Sequence, residues 1–310
     1  MKARGSMLNK YILGTGIAGL IYAFYNKDYI AIGDSHGGQM ASHFPLGTRF
    51  LHMNEYSEKF LKDLSLPIIP IKIKTGYQTR KGHYVDLMLD RGYKEKYYMK
   101  SRGLKTLEGY DDTAMSEGKN CFIALKVDFE EVIKRLCLVL DKRLIKDKVA
   151  EIDTQRKTIA LASGTIFEYE SFVNTMSLNI FAGLLKNAIF PGADNFKCFP
   201  ITYIWLKPQT KSDFDYVYVA QSNIPHHRLT WDDNGVCAEW FGAHKPEECK
   251  KIYKDKYVDS QILWNAQIIP FKEDLKLEAV KFIGRYGRWD RHYKTERVIE
   301  EAMKNEKNGT

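Results

Sequence analysis

Residues 14 to 19, Gly-Thr-Gly-Ile-Ala-Gly, put three glycines at the spacing G-x-G-x-x-G. Gly14 permits a tight turn, Gly16 lets a pyrophosphate come up against bare backbone, and Gly19 lets a helix lie close on a sheet. A helix starting here points unpaired N–H groups, and the positive end of its dipole, at the phosphates. Thr15, Ile17 and Ala18 complete that cradle, whose chemistry is the binding of a dinucleotide. Asp34 follows Gly14 by 20 residues, the separation of an acid that hydrogen-bonds a ribose hydroxyl; a loop-capping aspartate is the other reading. Gly37 and Gly38, flanked by Ser35 and Gln39, belong where a loop must pass close to a bulky cofactor.

Other residues offer proton transfer and anion pairing. His36, His43 and His52 surround the glycine pair and the run after it, and His226 and His227 precede Arg228. An imidazole can move protons near neutral pH, so His52 and His227, with Arg228, are candidate catalytic groups beside structural roles for the same side chains. The stretch from Arg80 to Arg102 interleaves arginines and lysines with Tyr84, Tyr93, Tyr97 and Tyr98. Basic groups pair phosphate and tyrosine rings stack a base or sugar, which makes Arg80, Arg91, Tyr97 and Tyr98 candidate substrate contacts. A solvated, lysine-rich helix or loop edge is the alternative.

The elements that must position these groups are legible. Lys10–Leu13 is a short β-type run, Leu20–Tyr25 an apolar helical stretch and Tyr29–Ile32 a second strand ending at Asp34. That is the strand, turn, helix and strand order in which a glycine-rich turn binds a dinucleotide. Residues 126–136 read as an amphipathic helix, and 149–175 alternate like strands with turns at Gln155-Arg156 and Ser163-Gly164. A last helix starts near Thr295.

Composition sets the outer bounds. With 310 residues, 44% hydrophobic and 28% charged, the chain can bury a large core and suits two interleaved domains. No run approaches the roughly 20 apolar residues of a membrane span, and the start lacks a basic region followed by an apolar signal core, so a cytoplasmic protein is expected. Residues 1–6 read as an expression remnant. The five cysteines are scattered without C-x-x-C or Cys/His clustering, which disfavours disulfide chemistry and a metal site. A net charge of +8 suits anionic ligands, nucleotides and nucleic acid among them.

With its glycine-rich start, acidic strand end and Gly37-Gly38 pair, the chain resembles the FAD-dependent amine oxidases, protoporphyrinogen oxidases and UDP-galactopyranose mutases. The resemblance continues through residues 47–64, 149–175 and 217–231 and closes in 279–304. There Gly284-Arg285, Gly287 and Trp289, and a final helix carrying Arg297 and Val298, are similar to the C-terminal flavin-contacting motif of that superfamily. The resemblance implies an α/β fold: a discontinuous, Rossmann-like FAD-binding domain with a parallel central sheet (7–74, 122–195 and 263–310) and a smaller α+β substrate domain (75–121 and 196–262). It implies FAD as cofactor, with Arg285, Arg288 and the N-terminus of the last helix near the pyrimidine end of the flavin. The activity implied is oxidation of a C–N or C–H bond in a small or nucleotide-linked substrate, with oxygen or a carrier taking the electrons. A mutase-like, flavin-dependent isomerase is the alternative, although its paired phosphate-binding arginines have no clear counterpart. A third reading has the basic, tyrosine-rich block track DNA while the flavin site works on a modified base or an amino-acid adduct in DNA.

Overall fold

A computed structural model describes residues 9–41, 50–79, 84–85, 91–103, 121–187, 190, 196–208, 213–232, 235–268, 276–290 and 293–308. The chain opens with β1 (Asn9–Leu13), α1 (Ile17–Tyr25) and β2 (Tyr29–Ile32), then β3 (Phe50–His52), α2 (Glu55–Asp63), β4 (Pro70–Gln78), β5 (Tyr84–Val85) and α3 (Arg91–Arg102). It continues through β6 (Cys121–Lys126), α4 (Phe129–Leu140), β7 (Leu144–Ile145), β8 (Val149–Asp153), β9 (Thr158–Leu161), β10 (Ile166–Asn174), α5 (Leu178–Leu184) and β11 (Leu185–Lys186). The last third holds β12 (Cys198–Leu206), β13 (Tyr216–Tyr218), β14 (Arg228–Asp232), β15 (Gly235–Phe241), α6 (Pro246–Tyr253), β16 (Tyr257–Ile268), β17 (Val280–Phe282), α7 (Gly284–Arg288) and α8 (Thr295–Asn308).

Two sheets result. In the first, β17, β10, β1, β2 and β7 lie side by side and parallel. Alternation along β1 sends Ile12 to one face and Tyr11 and Leu13 to the other, as a strand buried on both faces requires. Ile12 meets a helical layer of α1, α4 and α8, built from Leu20, Ile21, Val132, Leu136, Ile299 and Ala302 among others. Tyr11 and Leu13 meet the antiparallel strands β8 and β9 together with α5. Helix α4 forms where Asp128 accepts hydrogen bonds from the Glu130 and Glu131 N–H groups, a side-chain N-cap. It buries Phe129, Val132, Ile133, Leu136 and Leu140 on one face.

The second sheet has nine strands against eight in the first and runs β16-β12-β15-β14-β13-β4-β6-β3, with β5 on β4. The domain boundaries expected after residues 74, 121 and 262 fall inside β4, β6 and β16. A strand that pairs along its whole length cannot be split between two sheets, so 70–74, 122–126 and 263–268 go with the second one. Strand β3 joins it too, through β6.

The two ends of the chain meet at the carboxyl ends of the parallel strands. The Ile283 N–H donates to the Asn174 carbonyl at 3.0 Å, and a Cβ on Gly284 would lie 2.9 Å from the Ala18 Cβ. Gly19 shows how tightly α1 sits, since a Cβ there would fall 1.9 Å from the Gly14 carbonyl oxygen. That obstacle is backbone and cannot turn aside. Gly19→Ala is expected to cost about 3 kcal/mol or more by overpacking, read as a lower urea midpoint at unchanged slope; a midpoint equal to that of the unmodified chain would contradict the packing.

Candidate functional site

The glycine turn is assembled from β1, α1 and the end of β2. Gly14 has a φ of 100° and its N–H donates to the Ile32 carbonyl at 2.8 Å. The Gly37 N–H donates to the Thr15 carbonyl at 2.8 Å, and the Thr15 hydroxyl donates to the Ser35 carbonyl at 2.5 Å. The turn after β1 and the turn after β2 are thereby locked together. Gly37 and Gly38 both hold positive φ, which a side chain would strain.

Gly16 differs from these. It caps α1 with φ −64° and ψ 171°, values any residue adopts, and α1 has no side-chain cap and no acidic residue in its first turn. A Cβ on Gly16 would find nothing within 4 Å. The chain's own packing thus gives no reason for glycine here, while the open helix N-terminus offers N–H donors to an anion. Asp34 is exposed just past β2, with the Ser35 hydroxyl 3.3 Å from its carboxylate.

The C-terminal segment closes over this turn. Tyr286 donates from its hydroxyl to Gln39 Oε1 at 2.8 Å, so the loop after the glycine pair is held by α7. Burial raises the Tyr286 phenol, and the charge of Arg285 works against that rise. Arg285 is exposed beside it. Arg288 is turned elsewhere, donating to the Phe282 carbonyl and to Glu301. Trp289 and Val298, expected at the flavin, are 1% and 2% exposed and belong to the two apolar cores; Trp289 packs on Phe196 at 5.4 Å. Their side chains support the motif from behind, as a wide indole and a branched aliphatic chain do best when buried. Arg297 lies over the Tyr293 ring, 5.1 Å from its centre.

On the second sheet, register brings five side chains into one row across five strands. Tyr203 pairs with Glu239, Glu239 with Arg228, Arg228 with Tyr218, and Tyr218 with Tyr77. Directly paired residues point to the same face. The opposite face is apolar, with Ile204, Val217, Leu229, Val236 and Ala238 in one cluster. Arg228 donates from Nε to Glu239 Oε1 at 2.8 Å and from Nη2 to the same oxygen. Burial works against the Arg228 charge, but Glu239 beside it more than offsets this and holds the guanidinium above its ordinary value. Burial likewise disfavours the Glu239 charge, and Arg228 and His227 outweigh it, so that carboxylate lies below its ordinary value.

The second sheet meets the loop after the glycine pair at β16, the strand that pairs with the Tyr203 strand β12. Nearby, the Gln39 amide donates to the Asn265 carbonyl at 3.4 Å, and the Cys198 thiol to the Asn265 side chain at 2.9 Å. Helix α3 covers the other end. Tyr97 contacts the rings of Tyr218, His227 and Tyr98. Tyr93 donates to the Gln78 carbonyl at 2.7 Å, and Lys100 donates to the Gln221 carbonyl at 2.6 Å. Tyr93, Tyr97 and Lys100 therefore turn toward the sheet. Burial pushes the Lys100 ammonium down to about 8.

Of the proposed catalytic groups, His227 and Arg228 come together with Glu239, whereas His52 does not join them. His227 is 2% exposed with Nε2 3.5 Å from Glu239 Oε2. His52 stacks on Phe122, lies 3.0 Å from Lys294 Nζ, and donates its backbone N–H to Glu296 at 2.5 Å. Its strand partner Ala124 pairs with Ile71, and the six residues from there to Tyr77 span about 20 Å of strand. His36 sits in the glycine-pair loop with a buried, unpartnered Nδ1. Arg80 and His43 lie outside the described residues, and Arg91 is described only as the first residue of α3. Among the described residues no group of histidine, cysteine and acidic side chains could hold a metal ion, and no helix is long and apolar enough to cross a membrane.

Two histidines make the site acid-labile. Burial, then the charge of Lys100, push His226 down to about 3; burial also lowers His227, with Glu239 opposing. Both are neutral in the fold, whereas the unfolded chain takes up protons below the ordinary value of 6.5. Their contribution is complete above that value and is lost as pH falls toward the folded values. The melting temperature is expected to drop between about pH 7 and pH 5, and to drop less in His226→Gln; identical pH profiles would contradict this placement of His226.

No family model matches the chain. Solved structures do. A reduced UDP-galactopyranose mutase superposes with a TM-score of 0.68 at 11% identity, covering 97% of this chain and 93% of its own. A putrescine oxidase redesigned in its cofactor binding gives 0.66 at 10% identity, over 97% and 98%. A fatty acid isomerase from P. acnes that produces CLA gives 0.65 at 11% identity, over 97% and 98%. The shared path includes both the sheet that carries the glycine turn and the sheet that carries the row. The chain thus shares the fold of these solved structures over nearly its whole length.

Proposed function

We propose that the chain binds FAD at the Gly14–Gly19 turn and acts as an FAD-dependent oxidoreductase on a small substrate held against the Tyr203–Tyr77 row. The observation that carries this reading is Gly16, an unstrained residue whose missing side chain leaves open space at an uncapped helix N-terminus. The α1 N–H groups would take the pyrophosphate and Asp34 a ribose hydroxyl, while Gly37 and Gly38 would let the cofactor pass close to backbone. Bound FAD supplies hydride acceptance from a C–N or C–H bond. Arg285 would place positive charge beside it.

The oxidoreductase reading is favoured over a mutase-like isomerase by the row itself. Among its residues Arg228 is the one arginine, and one edge of its guanidinium is committed to Glu239, so the row offers no arginine pair for a nucleotide diphosphate. Tyr93, Tyr97 and Lys100 face the sheet, which counts against an outward stripe tracking DNA. The test is anaerobic mixing of the FAD-loaded protein with a panel of primary amines and amino acids. Loss of the oxidised flavin spectrum on substrate alone, with recovery on admitting oxygen or an artificial acceptor, is expected. Turnover only after dithionite reduction, with no net redox change, would contradict the reading in favour of an isomerase.

A further inference from the structure

The row presents hydrogen-bond donors where the acceptor side is already committed. Arg228 uses Nε and Nη2 on Glu239 Oε1, which leaves the edge formed by Nη1 and the second Nη2 hydrogen without an acceptor among the described residues. That edge is reachable, since 31% of the Arg228 side chain is exposed while Glu239 is 2% exposed. Tyr203 and Tyr218, on either side of the pair in register, have hydroxyls with no hydrogen-bond partner among the described residues. Burial raises both phenols, which keeps them protonated and able to donate. The Arg228 guanidinium also lies over the Tyr216 ring, 5.5 Å from its centre, a contact that restrains its plane. Glu239, the acidic side chain of the row, is occupied by Arg228 and His227.

We propose that this row is a carboxylate-binding subsite, in which the free edge of Arg228 receives the carboxylate of the substrate and Tyr203 and Tyr218 donate from its flanks. The inference rests on the flavoenzyme reading for what the bound molecule is, a substrate, but not for whether the subsite binds. A planar guanidinium edge matches two carboxylate oxygens side by side. Glu239 fixes which edge stays open, because it accepts from the Nε side alone. The substrates favoured are then small acids, amino acids among them, over amines that lack a carboxylate.

Isothermal titration calorimetry of the purified full chain with benzoate, benzamide and inorganic phosphate tests this. Benzoate is expected to bind saturably at one site per chain, and benzamide, its neutral isostere, at least about 10-fold more weakly, the range for losing a hydrogen bond between charged groups. Equal binding of the two would overturn the proposal, and so would tighter binding of phosphate. Arg228→Met combined with Glu239→Gln removes both charges without leaving either unpaired, and should weaken benzoate about 10- to 100-fold with FAD content unchanged. Unchanged benzoate affinity in that variant would also overturn it. If the wild-type chain takes up no FAD yet discriminates benzoate from benzamide through Arg228, the flavoenzyme reading fails and the subsite stands. If FAD binds and the discrimination is absent, the subsite fails alone.

Discussion

Gly16→Val is expected to give a folded chain that takes up no FAD. Nothing within 4 Å meets a Cβ at this position and its φ is −64°, so the valine Cβ meets no obstacle and the backbone no strain. Its branched side chain would instead fill the space in front of the α1 N-terminus, where a pyrophosphate must approach. Melting temperature is expected within a few degrees of the unmodified apoprotein, with flavin occupancy after incubation with excess FAD reduced at least about 100-fold, as for a group whose charged hydrogen bonds are lost. Full occupancy would remove the assignment of the turn. Gly19→Ala is the informative contrast, because there the obstacle is the Gly14 carbonyl and the expected loss is of stability.

Glu239→Ala carries the largest expected cost to stability. The carboxylate is 2% exposed and holds both Arg228 and His227. Its removal strands a guanidinium in the middle of a sheet, and breaking a buried pair from one side costs about 3–5 kcal/mol. For a chain of this size that lowers the melting temperature by about 10 °C. Removing both charges, as in Arg228→Met with Glu239→Gln, should recover most of the loss, since the desolvation of both ions is then avoided. A single variant as stable as the unmodified chain would show that the pair is solvated and the row open to bulk water.

Local signals in the sequence carried the first sheet. Tyr29–Ile32 is a strand with Asp34 just beyond it, and Thr295 begins α8, because the glycine spacing, the apolar runs and the turns are all short-range features. The row was not legible in this way. Tyr77, Tyr203, Tyr218, Arg228 and Glu239 are brought together by strand register, which depends on pairings between segments far apart in the chain. A signal for Glu239 did exist: it is the charged residue of Gly-Val-Cys-Ala-Glu-Trp-Phe, and a carboxylate inside an apolar strand needs a partner. The tyrosine-rich block held another. Tyr93, Tyr97 and Lys100 recur at the spacing of one helix face, and that face is the one α3 turns toward the sheet. The pattern of the C-terminal segment marks the position of Trp289, and it is the three-dimensional packing that buries its indole.

The central claim is that the Gly14–Gly19 turn holds FAD. The most direct measurement is the flavin released by heat denaturation of the purified chain, identified by chromatography against FAD and FMN and set against protein concentration, before and after incubation with FAD. One FAD per chain, non-covalently held and absent from Gly16→Val, is the predicted result. A folded chain that stays colourless after incubation with FAD, or one whose Gly16→Val variant retains the full complement, would contradict it.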